Sequence, residues 1–267
     1  MPKPIPNPLD FFSTYMRLTG AAHLGPEQHG DPRLLGKRLG LLNGSSWVTA
    51  WSNYFGRLLL PGVTLVNAGN DAVQLNFMQA YADHAPCPPG ANIERFVAYA
   101  RDLVELANVD AVLITCSTMN RSYVHVADAL APFNVPVVQI DMPMMEAAVT
   151  RGGKVLVIAT HGPTVTSTQA LLDETATRLG MSVAYDGATV ESAWHRLAEG
   201  DIAGHNQLLA DAIRDQLGRN SYSSVVLAQL SMSAFLFSYP DPASILGLPV
   251  FTSGQCGFER MRDVLLS

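Results

Sequence analysis

The chain has 267 residues, 48% hydrophobic and 15% charged, so it can bury a large core and form two lobes of roughly 100 to 150 residues each. The net charge is −6, and no run of lysine and arginine is present, which argues against nucleic acid or an anionic membrane as the main partner. No apolar stretch reaches the roughly 20 residues of a membrane span, and residues 1–8 lack a signal-peptide core, so we expect a cytoplasmic protein.

The first 36 residues are rich in proline and glycine and fit no strand-helix unit. We therefore interpret residues 1–36 as an N-terminal extension that wraps the body or mediates assembly. A catalytic role is not expected there. Together with the tryptophan- and methionine-rich segments, this extension would suit a homodimer.

Short apolar segments after the extension predict buried strands at residues 38–42, 63–67, 111–115, 135–140, 154–160, 182–185, 224–228 and 249–252. Strands that are apolar throughout are typical of parallel sheets buried on both faces. Between them, apolar residues recur at helical spacing, as in 93–107 and in 209–217, where Gly218 is expected to follow the helix end. This alternation predicts an α/β fold with parallel sheets and right-handed crossovers.

The polar segments that follow the strands repeat along the chain. One strand ends at Asn43 and a later one leads to Cys116; in the second half, one ends at Thr160 and a later one leads to Gln229, at a similar separation. This echo predicts two pseudo-symmetric Rossmann-like lobes, with strand ends that meet at a shared cleft. We assign residues 37–150 to the first lobe and 151–267 to the second, with the segment after about residue 249 a candidate to return to the first.

Three cysteines are odd in number and lack metal-ligand spacing, so we expect reduced thiols, no disulfide framework and no metal site. Cys116 ends a buried strand and is followed by two hydroxyl side chains, which favours a reactive thiol over an inert buried one. Cys87 is expected to be a loop residue away from the site. Cys256 follows the last strand and has a smaller chance of bordering the cleft than of lying elsewhere.

These residues resemble the Asp/Glu racemase superfamily, which includes aspartate, glutamate and hydantoin racemases, maleate isomerase and arylmalonate decarboxylase. The resemblance runs from about residue 37 to the C-terminus. Cys116-Ser117-Thr118 is similar to the family's first-lobe Cys, small polar residue and Thr, and residues 160–164 are similar to its Thr-x-Gly-x-Thr turn.

The resemblance implies cofactor-independent carbanion chemistry on a small carboxylate, in which two family cysteines flank the substrate carbon. It implies Cys116 as the catalytic residue here. The hydroxyl, amide and backbone N–H groups around it would stabilise the carboxylate as negative charge develops. By this resemblance and their position, the expected substrate-binding residues are Asn43, Ser45, Ser117, Thr118, Thr160, Thr164, Gln229 and Ser231.

The chain departs from the family at the second cysteine, where Gln229 stands instead. An amide can bind a carboxylate but cannot exchange protons, and the nearby Ser231 is a poor acid or base without assistance. Three hypotheses stay open. The first is one-cysteine decarboxylase- or isomerase-like chemistry, which predicts a thiol of low pKa. The others are a true amino-acid or hydantoin racemase with a second acid/base that is not a cysteine, and a non-catalytic protein that binds a small acid.

Other polar and aromatic residues near the strand ends have structural interpretations. Asp141 is expected to cap the helix that starts at Met142. His161 is more readily a capping or solvent-facing residue than a proton donor. The aromatic residues after the first strand indicate either a bulky substrate group or core packing; they are Trp47, Trp51 and Tyr54.

Overall fold

The structure is a computed structural model that describes residues 7–19 and 29–267. Its strands form two four-stranded parallel sheets. In chain order the strands are β1 (Arg38–Asn43), β2 (Thr64–Gly69), β3 (Ala111–Ile114), β4 (Val137–Gln139), β5 (Lys154–Ala159), β6 (Ala184–Thr189), β7 (Ser224–Leu227) and β8 (Val250–Thr252).

Helices connect the strands and flank both sheets. In chain order they are α1 (Pro8–Thr19), α2 (Ser46–Leu59), α3 (Asp71–Ala82), α4 (Gly90–Glu105), α5 (Tyr123–Leu130), α6 (Met142–Arg151), α7 (Gly162–Leu179), α8 (Glu191–Ala198), α9 (Ile202–Arg219), α10 (Phe235–Ser238), α11 (Pro242–Leu246) and α12 (Ser253–Leu266). Short 3₁₀ turns occupy Ser117–Ser122, Ala131–Phe133 and Leu230–Ala234.

The two sheets have the same topology. The strand order is β2-β1-β3-β4 in the first sheet and β6-β5-β7-β8 in the second. Leu42 pairs with Ile114 in the first sheet, as Ile158 pairs with Leu227 in the second. The predicted α/β fold with two similar lobes is therefore confirmed.

The predicted strands are all present, but some of their ends differ. β6 runs from Ala184 to Thr189, beyond the predicted 182–185, because this edge strand alternates exposed and partly buried residues and only its start is apolar. Gly218 lies inside α9, which ends with Asn220 as its C-cap, so the predicted helix end was wrong by two residues.

The central strands are the most buried elements. Every residue of β3 and β7 is buried, since helices cover both faces of each sheet. Strands of this kind require a continuous apolar sequence, and this explains why the sequence revealed them.

Two helices join the lobes. α6 follows the first sheet, but its Met144 and Ala148 pack in a cluster with Val155 and Val157 of β5. α12 follows β8, which is hydrogen-bonded to β7, yet its side chains pack against the first sheet. The core of each lobe therefore contains a helix that follows the last strand of the other sheet. The lobe boundaries at residues 36 and 150 stay predictions.

The N-terminal extension contains a helix. α1 spans Pro8–Thr19 and lies against α2. Residues 1–6 and 20–28 of the predicted extension lie outside the described residues. In the part of the chain that is described, no helix is sufficiently long and apolar to cross a membrane.

Phe258→Ala tests the packing of α12 on the first lobe. Phe258 is fully buried among Leu41, Leu113 and Met261, so we expect the free energy of unfolding to fall by about 3–5 kcal/mol. Urea denaturation measures it. Leu266→Ala, on the same helix but 37% exposed, is the control and should change it by less than about 1 kcal/mol. Equal effects of the two variants would contradict this packing.

Candidate active site

A cavity of about 990 Å³ opens where strands of both sheets end. It brings together residues that are far apart in the sequence and come from both lobes. Of the residues expected from the sequence to form a site, those that line this cavity are Ser45, Cys116, Ser117, Thr118, Thr160, Thr164, Gln229 and Ser231.

Asn43 does not line the cavity. Its side chain is completely buried behind the cavity wall, where its Oδ1 accepts hydrogen bonds from Thr115 Oγ1 at 2.6 Å and from Ser52 Oγ at 2.8 Å. Its Nδ2 donates to Asn67 Oδ1 at 2.9 Å. Asn43 therefore links the end of β1 to Thr115, a cavity residue, and has no surface to offer a substrate.

Cys116 lies between β3 and the 3₁₀ turn Ser117–Ser122, and only 3% of its surface is exposed. Its Sγ lies 3.1 Å from Thr118 Oγ1. Burial raises the pKa of Cys116, and the negative charge of Asp141 also raises it, whereas hydrogen bonds from Thr118 and from the Met119 backbone act in the opposite direction. The predicted low pKa of the thiol is therefore wrong, because the effect of desolvation exceeds that of the donors.

Gly44 permits the position of the thiol. A Cβ atom on Gly44 would lie only 2.3 Å from Cys116 Sγ, closer than any real contact. A glycine is therefore required after β1, because a side chain at this position would overlap the thiol of Cys116.

Gln229 occupies the position after β7 that Cys116 occupies after β3, and each precedes a 3₁₀ turn. Its Oε1 accepts hydrogen bonds from Thr160 N and Thr160 Oγ1, both at 2.8 Å. A backbone N–H can only donate, so the amide oxygen must face Thr160. The amide NH₂ is then the group that Gln229 can offer to a ligand in the cavity.

Asp141 lines the cavity and is only 3% exposed. Its carboxylate accepts hydrogen bonds from Ser117 Oγ at 3.0 Å and Gln139 Nε2 at 2.9 Å. The predicted capping role was wrong: the side chain makes no cap hydrogen bond, and Gln139 Oε1 accepts from the Met142 N–H instead. Burial raises the pKa of Asp141 to about 6, against the lowering effect of its donors.

An aromatic wall spans the two lobes on the cavity surface. Trp47 of α2 contacts Trp51 and Trp194 of α8, with ring centroids 5.5 Å apart in both pairs. His161 lies 5.3 Å from Trp194. Tyr54 instead packs against Phe55 and Phe237. We call Trp47, Trp51, Trp194 and His161 the aromatic wall.

His161 and Cys87 differ from expectation. His161 precedes α7 without a side-chain cap and lines the cavity, where partial burial lowers its pKa. Cys87 lies in a loop, as expected, but that loop borders the cavity. Cys256, as expected, does not line the cavity; it packs against the apolar cluster that contains Met144 and Ala148 of α6.

A charged pair bridges the lobes beside the cavity. Arg121, from the 3₁₀ turn after Cys116, donates to both carboxylate oxygens of Glu174 on α7, at 2.5 and 2.6 Å. Its positive charge is therefore already compensated.

Asp141 and Trp194 line the cavity but were not predicted from the sequence as site residues. Asp141 lies two residues past the end of β4, as Cys116 lies two residues past the end of β3, so the strand-end rule that identified Cys116 would also have found it. Trp194 lies on a helix and reaches the cavity only through the packing of α8, which no local pattern indicates.

A model of the Asp/Glu/Hydantoin racemase family matches residues 76–261, well over half of the chain, so the chain belongs to this family. Family membership indicates an enzyme of the racemase, that is isomerase, type. No curated protein sequence matches the chain significantly.

Solved structures share the fold. An aspartate racemase homologue from Pyrococcus horikoshii OT3 is 17% identical with a TM-score of 0.61, over 86% of this chain and 100% of that one. Allantoin racemase from Klebsiella pneumoniae is 15% identical with a TM-score of 0.59, over 86% and 88%. Escherichia coli glutamate racemase in complex with L-glutamate is 21% identical with a TM-score of 0.53, over 86% and 82%. At these identities the likeness shows the fold alone.

Gly44→Ala tests the close approach of Gly44 to the thiol. The added methyl group must displace Cys116, so we expect the free energy of unfolding to fall by about 1–3 kcal/mol. Denaturant unfolding measures it. The control, Gly218→Ala, meets no atom within 4 Å and should be neutral or stabilising. A Gly44 variant as stable as its control would show that the chain relaxes there without cost.

Asp141→Asn tests the burial of the carboxyl group. The pKa of Asp141 is raised from 3.8 to about 6 in the folded protein, so ionisation of this group costs more in the folded than in the unfolded state. The free energy of unfolding of the wild type therefore falls as the pH rises from about 4 to 6. The stability of the variant relative to wild type should therefore increase over this range, by up to about 3 kcal/mol. Thermal and urea unfolding at pH 4 and pH 7 measure it.

Asp186→Asn is the control for this pH dependence. Hydrogen bonds and the charge of Lys154 lower the pKa of Asp186 from 3.8, so its variant should lose relative stability as the pH rises toward about 4 and should change little between pH 4 and pH 7. A stability difference for Asp141→Asn that does not change with pH would contradict the assigned burial effect.

Proposed function

We propose that the cleft carries out one-thiol carbanion or enolate chemistry on a small carboxylate, with Cys116 as the proton-transfer group and Gln229 as an oxygen-binding residue in place of a second thiol. The observation that carries this proposal is that Cys116 and Gln229 hold equivalent strand-end positions in the two lobes and line one cavity. A substrate carbon between them would face a thiol on the first-lobe side and an amide on the second-lobe side.

The raised pKa of Cys116 favours a thiol that gives a proton over a thiolate that takes one. Decarboxylation of a malonate-type acid uses such a donor. The C–C bond to the leaving carboxylate breaks, carbon dioxide departs, and the electron pair stays as an enediolate. The Cys116 S–H proton then bonds to that carbon, and water returns a proton to the thiolate.

The remaining cavity groups suit a carboxylate. Gln229 supplies amide N–H donors, and the cavity also contains the hydroxyl groups of Ser45, Thr118, Thr164 and Ser231. Because Arg121 is paired with Glu174, neutral donors provide this binding. Preorganised donors of this kind stabilise the charge that develops on an enediolate oxygen.

The substrate also carries a bulky apolar or aromatic group. The cavity volume of about 990 Å³ is at the upper end of the range for sites that bind drug-sized ligands. The aromatic wall occupies one side of it, and Phe77 and Met78 of α3 add further apolar surface. Offset or edge-to-face contact with such rings favours an aromatic substituent.

Proton exchange and carbon dioxide release test this function. Wild-type protein in D₂O is followed by NMR with aryl-substituted malonates, hydantoins, aspartate, glutamate and maleate. We expect activity on an aryl-substituted acid and a loss of at least about 100-fold in Cys116→Ala, the usual contribution of a proton-transfer group. Cys256→Ala, whose thiol does not line the cavity, is the matched control and should retain full activity.

Two outcomes contradict the proposal. Turnover that survives in Cys116→Ala would assign the chemistry to another residue. Acids that bind without turnover, measured by calorimetry, would identify a binding protein instead.

A further inference from the structure

We propose that Asp141 is a positioning residue that sets the charge state of Cys116, so that the two groups together hold one negative charge and Cys116 ionises readily only when Asp141 is protonated. This inference uses the proposed function only in taking Cys116 as the reactive group. Asp141 has no other assigned role in the cleft.

The geometry places the two acids at neighbouring buried positions of one cavity. Both line the same cavity, and each is only 3% exposed. Ser117, the neighbour of Cys116 in the chain, donates its hydroxyl hydrogen to Asp141 Oδ1 at 3.0 Å. Ile114 of β3 pairs with Gln139 of β4, and Cys116 and Asp141 each lie two residues further along their chains. Two negative charges at such neighbouring buried positions disfavour each other.

The coupling has a defined proton balance. When Cys116 loses its proton and Asp141 gains one, a thiol and a carboxylate become a thiolate and a carboxylic acid, and the net charge is unchanged. The neutral acid then donates a hydrogen bond where the carboxylate only accepted. Both groups titrate as a pair, so each ionisation depends on the other.

Other charged groups surround the pair. The remaining titratable side chains that line the cavity are Asp71, Tyr81, Cys87, Arg121, His161 and Glu191. The titratable groups of the two helices next to Asp141, α6 and α12, are Glu146, Arg151, Cys256, Glu259, Arg260, Arg262 and Asp263.

Several of these charges are already engaged. Asp71 Oδ1 accepts hydrogen bonds from Ser46 N and Oγ at 2.7 and 3.0 Å, and Arg121 is paired with Glu174. Glu146 is paired with Arg178 at 2.8 Å and with Arg260 at 2.6 Å. The charge on Asp141, by contrast, acts on the thiol: burial is the main cause of the raised pKa of Cys116, and the charge of Asp141 raises it further by a smaller amount.

The test measures the rate at which iodoacetamide alkylates Cys116 between pH 5 and 10. The protein carries Cys87→Ser and Cys256→Ser, which leaves Cys116 as its single thiol, and intact-mass spectrometry follows the reaction. Asp141→Asn removes the repelling charge, so its thiol should ionise at lower pH. We expect alkylation at pH 7.5 to be about three- to tenfold faster than in the parent, where tenfold corresponds to one pKa unit.

Asp71→Asn is the matched control, since it removes a negative charge from the same cavity. Its alkylation profile should stay within twofold of the parent. A profile for Asp141→Asn within twofold of the parent, or an equal shift in both variants, would overturn the inference.

A second measurement covers the case in which Asp141→Asn does not fold. Carbon-detected NMR of the Asp141 carboxyl should show a second shift change at the pH where Cys116 ionises. This second change should vanish in Cys116→Ser. A second change that persists in Cys116→Ser, or none in the parent, would overturn the coupling. Neither measurement needs a substrate, so failure here is distinct from failure of the turnover assay.

Discussion

Parallel strands all end at one edge of their sheet, and this constraint determines where polar side chains can gather in the molecule. Each sheet has a fully buried central strand, β3 in the first and β7 in the second. The polar residues that these strands bring to the cavity therefore appear just past the strand ends. Cys116, Asp141 and Gln229 all follow strands in this way. The two sheets share one topology, so their ends supply one cavity with groups from both lobes.

Each lobe contributes a helix to the hydrophobic core of the other. Because α12 fills the core of the first lobe and α6 that of the second, neither core is complete without a helix that follows the other sheet. The Arg121–Glu174 ion pair and the contact between Trp47 and Trp194 add links beside the cavity. This arrangement favours a fixed spacing between the two lobes at the cavity.

The sequence was most informative where a single local signal determines the structure. Continuous apolar runs located the strands, and a polar residue after each run located Cys116, Gln229 and Thr160. Asn43 also follows this rule, but its side chain is buried and hydrogen-bonded to Thr115 instead of lining the cavity. Whether a strand-end side chain faces the cavity or the interior depends on packing, which the sequence position does not determine.

The electrostatics of the site could not be inferred from the sequence. The pKa of Cys116 depends on the balance between desolvation and nearby donors, and Asp141 enters that balance only because β3 and β4 are neighbours. The aromatic wall likewise depends on the packing of α8 against α2, two helices far apart in the chain.

The proposed one-thiol mechanism is tested most directly by the configuration of the product formed in D₂O from a malonate that carries an aryl group and a second substituent on its central carbon. In that mechanism Cys116 delivers the deuteron to one face of the carbon, and Gln229 delivers none. The expected product is therefore one deuterated enantiomer. A racemic deuterated product would contradict it, because protons would then reach both faces of the carbon.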